Sequence, residues 1–154
     1  MLKIPVSHPE ILHALGSAGH LSKVLISDGH YPHGTHPNPR AKIVWANFTP
    51  GLLDAVTVLK MIADLVSIEE VAVMEPHRDG PYAMKENPPI WKRFDDVLRK
   101  HSDFRGAMTP LQKPQFNEQA RSDDVCLVIA TGEMEIYANI LITIGVVNGG
   151  QREE

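Results

Sequence analysis

The stretch DVCLVIATGEMEIYANILITIGVV, residues 124–147, decides the fold. Two apolar runs, VCLVIAT (125–131) and ILITIGVV (140–147), flank the more polar segment GEMEIYAN (132–139). Both runs are short and rich in β-branched residues, so both read as strands. Neither alternates apolar with polar side chains. A strand with one wet face alternates, whereas a strand covered on both faces does not. The sheet that holds these two strands therefore needs helices on each side, and the rest of the chain has to supply them.

The flanking sequence does so. KVLISD (23–28), KIVWAN (42–47) and IEEVAVMEP (68–76) read as further strands. SHPEILHALGSAG (7–19) reads as a helix: Ser7 caps it, Glu10 completes a capping box, and Pro9 fits the first turn. Its apolar face is Ile11, Leu12 and Leu15, and Gly16 or Gly19 ends it. TPGLLDAVTVLKMIADLV (49–66) reads as a second helix, with Thr49 as N-cap and Pro50 at the first position. Its stripe is Leu52, Leu53, Val56, Leu59, Ile62, Ala63 and Val66. NPPIWKRFDDVLRKH (87–101), capped by Asn87, buries Ile90, Trp91, Phe94, Val97 and Leu98. KPQFNEQARS (113–122) is a short helix opened by Pro114. Strands alternating with helices specify an α/β fold. We expect a single domain over 1–147, a mostly parallel or mixed sheet with helices on both faces, and a frayed tail over 148–154.

The chain has 154 residues, enough for one core. Its net charge is −4 with no basic block, which excludes the usual nucleic-acid footprint. No apolar run approaches the roughly 20 residues that span a bilayer, and the first residues lack a signal-peptide segment. The single cysteine, Cys126, precludes an internal disulfide and fits a reducing compartment. A cytoplasmic protein without nucleic-acid or membrane partners is the expectation.

The compositional oddity is eight histidines. SDGHYPHGTHP (27–37) gathers Asp28, His30, His33 and His36. A metal site is disfavoured there, because the loop from Gly29 to Arg40 holds three prolines and no helix presents a second ligand pair. Loop histidines at His33 and His36 are the expectation, with no metal. Cys126 lies in the middle of an apolar strand, where a thiol is buried and inert. GxSxG, GxGxxG and GxxxxGKS are all absent, so covalent and nucleotide chemistry lack support. General acid–base work by His20 and Asp28 remains. A six-residue strand separates them, spanning about 20 Å at roughly 3.3 Å per residue. The two groups converge only through a bend or a site shared between subunits.

GH (19–20), SDGHYP (27–32), QFNEQA (115–120) and TGEMEIYANILI (131–142) together resemble the RbsD/FucU family of monosaccharide mutarotases. The likeness runs from about His8 to Val147, and its most specific piece is Gly132, Glu133, Tyr137 and Asn139 followed by an apolar strand. It implies an RbsD-like α/β enzyme without cofactor or metal, acting on a free fucose-like or ribose-like monosaccharide. It implies a ring-shaped homo-oligomer, a decamer being one size for such a ring, with sites at subunit contacts. Residue by residue, it implies His20 as proton donor and Asp28 as a carboxylate contacting the sugar. It implies that Tyr137, Ala138 and Asn139 form the segment binding hydroxyls near the anomeric centre, with Lys113 at the basic position. His30 joins Asp28 in lining the site.

Opening a hemiacetal requires one group to take the anomeric hydroxyl proton and another to protonate the ring oxygen. An imidazole serves both directions near neutral pH, and neither a nucleophile nor an electron carrier is needed. The sequence departs from the family in three places. Members usually carry an acid two places after the site histidine, where this chain has Ser22. The basic position is His or Arg in the two branches and Lys113 here, a point charge in place of a fork. The span from Phe116 to Gly132 is about two residues longer, around RSDD (121–124). Those departures keep a non-catalytic sugar-binding or sensing protein of the same fold as the alternative.

Overall fold

A computed structural model describes residues 1–148; the rest of the expected tail, 149–154, lies outside the described residues. In chain order the elements are α1 (Pro9–Ser17), β1 (Lys23–Ser27), β2 (Lys42–Ala46), α2 (Ala55–Ala63) and β3 (Ile68–Met74). They continue with α3 (Ile90–His101), β4 (Thr109–Leu111), α4 (Lys113–Ala120), β5 (Val125–Thr131) and β6 (Ile140–Ile144). One six-stranded sheet takes the order β2-β5-β1-β6-β3-β4. β5 lies parallel between β2 and β1, and β4 runs parallel to β3. β6 is inserted antiparallel between β1 and β3. The sheet is mixed.

All five residues of β6 are buried. Ile140, Ile142 and Ile144 join one core with α1, α2 and α3, whereas Leu141 turns to the other face. There it meets Phe116 and Ala120 of α4, with Leu25 and Val128 from the neighbouring strands. Helices thus cover both faces, three on one and one on the other. Each fully buried Leu, Ile or Phe in these layers contributes about 1.5–3 kcal/mol of transfer free energy.

Three expected helix starts move. α1 is preceded by His8 with no side-chain cap; Ser7 plays no capping part, and Glu10 forms an ion pair with Lys42 at 2.5 Å instead. α2 begins six residues after Thr49, with Asp54 as N-cap accepting from the Thr57 N–H. Thr49 and Leu52 close a tight turn around Gly51, whose φ of +83° no helix admits, so Leu52 is left exposed. α3 starts at Ile90 after Pro89, and Asn87 accepts from the Arg78 guanidinium in place of capping. β4 was not expected. It is three residues long and contains Pro110, which an edge strand tolerates.

Because β6 alone is antiparallel, the carboxyl ends of the five other strands and the amino end of β6 share one edge of the sheet. In α/β sheets ligands favour that edge.

Candidate active site

The register between β1 and β6 assembles this edge. Ile26 pairs with Ile140, so Asp28 comes level with the residues just before β6. Its backbone N–H donates to Asn139 Oδ1 at 2.9 Å, and Asn139 Nδ2 donates back to Asp28 Oδ2 at 3.0 Å. The Ala138 N–H donates to the same oxygen at 3.2 Å, and the His30 N–H reaches Oδ1 at 3.0 Å. The amide orientation of Asn139 is fixed, since only its oxygen can face the Asp28 N–H.

Asp28 is 2% exposed, and burial pushes its carboxyl above the ordinary value, opposed by those backbone donors. Three donors occupy three of its four or so lone-pair directions. It therefore has room for one further hydroxyl. Asn139 and Ala138 are likewise committed first to Asp28, each nearly or wholly buried.

Tyr137 sits at φ +58°, a left-handed conformation that costs a bulky residue about 1–3 kcal/mol and clusters at functional sites. Its hydroxyl accepts from the His77 N–H at 3.2 Å and donates to the Tyr82 carbonyl at 3.1 Å, leaving one lone pair. Arg78 braces the same loop by donating to the carbonyls of Met84, Lys85 and Glu86. The His77 ring stands edge-on to Tyr137 with centroids 6.4 Å apart. His77 was missed in the sequence, although it follows a strand's carboxyl end, where chemistry gathers in such sheets. Lys113 opens α4 at this same edge with its side chain exposed.

Gly132 and Glu133 hold the segment in place. A Cβ on Gly132 would lie 2.6 Å from the carbonyl oxygens of Thr49 and Leu52, so glycine is required. Glu133 Oε1 accepts from the N–H groups of Met134 and Glu135, and Oε2 accepts from Ala55 at the start of α2. A carboxylate there suits the helix N-terminus.

The three loop histidines diverge. His30 donates from Nε2 to the Met134 carbonyl, and His36 Nδ1 faces Thr35 Oγ1. His33 is not a solvated loop residue: it is buried, and its Nε2 lies 2.8 Å from Ser27 Oγ. The Ser27 hydroxyl already donates to the Ile129 carbonyl, so His33 supplies the donor. Burial holds the His33 imidazole below its ordinary value, partly offset by the Asp28 backbone. The neutral ring is favoured by folding, so its contribution is intact above about pH 6.5 and declines as pH falls towards the depressed folded value. Denaturant titrations at pH 7.5 and 5 should show His33→Gln losing less stability on acidification than the wild type.

His20 lies at the opposite edge of the sheet. It precedes β1, and its Nε2 is 2.5 Å from Glu69 Oε2 on β3. The five residues of β1 alone put about 16 Å between His20 and Asp28. No bend brings them together within one chain.

The family model described as "RbsD / FucU transport protein family" matches residues 1–147. No helix among the described residues is long and apolar enough to cross a membrane. The fucose mutarotase of Mus musculus is 28% identical over 147 residues, covering 94% of this chain and 93% of that protein. The crystal structure of a fucose mutarotase from Streptococcus pneumoniae in complex with L-fucose superposes with a TM-score of 0.80. It is 23% identical and covers 96% of this chain and 100% of its own. Bacillus subtilis RbsD complexed with D-ribose superposes at 0.74, with 20% identity and the same coverage. The two structures share the fold, and the match over nearly the whole chain shows that this protein belongs to the RbsD/FucU family.

Proposed function

We propose that this protein is a monosaccharide mutarotase, an isomerase interconverting the anomers or ring forms of a free fucose-like or ribose-like aldose. The observation that carries the reading is the Asp28–Ala138–Asn139 lattice beside Tyr137, at the edge where such sheets bind ligands, in a chain whose relatives are named fucose mutarotases.

The chemistry runs as follows. The anomeric hydroxyl gives up its proton towards the open lone pair of Asp28, and the O–H electron pair forms the carbonyl. The bond from the anomeric carbon to the ring oxygen breaks, and the imidazolium of His20 protonates that oxygen. The carbonyl turns, and closure on its other face reverses both transfers. Asn139, Ala138 and the His30 N–H orient Asp28, while Lys113 offers a donor to the sugar and His30, with Nε2 given to the Met134 carbonyl, offers Nδ1 as an acceptor. Assistance of this kind is worth about 10²–10⁴-fold.

Because His20 and Asp28 stand at opposite edges, the complete site takes His20 from a neighbouring subunit of a closed homo-oligomer. Exposed Trp45, Phe48, Leu52, Met134 and Ile136 rim the carboxyl edge and supply apolar surface for that contact. The single Cys126, left as a thiol, suits the cytoplasm.

Saturation-transfer NMR of anomer exchange across fucose, ribose, galactose and related sugars tests the reading. Acceleration of at least one sugar is expected. A folded protein that accelerates none of them would refute it.

A further inference from the structure

Two backbone irregularities meet at the edge of the sheet away from Asp28, and both serve one pair of side chains. Leu21, directly after His20, has φ +69°, a conformation an L-leucine adopts at a cost. It is held there because its N–H donates to the Ile144 carbonyl while the Ile144 N–H donates to the Ser22 carbonyl. Across β6, the pairing of β3 slips: Ile68 faces Ile144 and Glu70 faces Thr143, so Glu69 is the extra residue of a β-bulge. Bulges of this kind re-aim a side chain and recur beside active sites. The result is His20 Nε2 at 2.5 Å from Glu69 Oε2, with both side chains nearly half exposed.

An ion pair this open to solvent adds little stability, so stability does not explain two irregularities arranged around it. The position two residues after His20, where an acid would be close in sequence, is Ser22, and its hydroxyl is engaged by the Gly19 N–H.

We propose that Glu69 is the positioning residue of His20. A carboxylate is acceptor only, so it fixes the imidazole proton on Nε2 and turns Nδ1 outward as the atom that exchanges protons with substrate. Glu69 reaches substrate only through His20. This inference rests on the reading of His20 as the proton donor of a mutarotase.

The test compares wild type, Glu69→Gln and Glu69→Ala, each with nitrogen-15 imidazole NMR and exchange kinetics. In the wild type the neutral fraction of His20 should report the Nε2–H form, and in Glu69→Ala a mixture of the two tautomers. The kcat for exchange should fall about 10- to 100-fold in Glu69→Ala with KM little changed, and by less in Glu69→Gln, which keeps an acceptor. Wild-type rates in both variants, or an unchanged tautomer signature in Glu69→Ala, would overturn the proposal. No exchange in the wild type would instead refute the mutarotase reading beneath it, so the two failures are distinguishable.

Discussion

His20→Ala should lower the rate of catalysed sugar exchange by about 10²–10⁴-fold while leaving sugar affinity within a few-fold. His20 stands outside the Asp28 lattice, nearly half exposed, so its removal disturbs none of the hydrogen bonds that shape the carboxyl edge. Binding is left to groups that alanine at position 20 does not touch. In the proposed mechanism, however, the ring oxygen loses the acid that protonates it as its bond to the anomeric carbon breaks. Saturation-transfer NMR gives the rate, and titration of sugar into the same protein gives the affinity. A parallel fall in both would make His20 a binding residue and remove it from the proton transfer.

The halves of the site differ in how far the sequence discloses them. The carboxyl-edge half is legible, because Asp28 ends one strand, Asn139 precedes another, and both strands are apolar enough to be recognised. What sequence does not disclose is how fully these groups spend their hydrogen bonds on one another, since that depends on register. His20 is legible as a candidate acid–base group, its role as proton donor only through resemblance, and its partner Glu69 not at all. Forty-nine residues separate the pair, and only the insertion of β6 between β1 and β3, with a bulge, brings them into contact. The start of α2 is misread for a similar reason. Thr49 and Pro50 look like a cap and first turn, but the carbonyls of Thr49 and Leu52 pack against Gly132, and that long-range contact outweighs local propensity. β4 escapes notice because three residues with a central proline carry no strand pattern.

Asp28→Asn should reduce exchange by a similar factor, about 10²–10⁴-fold, with only modest loss of stability. Asparagine has nearly the same shape, but all three partners of Asp28 are N–H donors. Its oxygen can serve Ala138 and Asn139, and its amide then confronts the His30 N–H, an unmet donor that costs about 1–3 kcal/mol. Relief of a buried charge offsets part of that cost, since burial disfavours the ionised carboxyl. The raised carboxyl value also sets a sign. Protonated Asp28 is favoured by folding, so its contribution is present at acid pH and lost as pH rises through the folded value. The stability gap between wild type and Asp28→Asn should therefore narrow as pH rises above about 4. The decisive version combines the two inactive variants. If each site takes His20 from one chain and Asp28 from its neighbour, random co-assembly of His20→Ala with Asp28→Asn leaves about one site in four with both residues intact. Unfolding the two proteins together and refolding the mixture should restore about a quarter of wild-type exchange, whereas the separately refolded variants stay inactive. If both residues acted within a single chain, no mixture would recover activity.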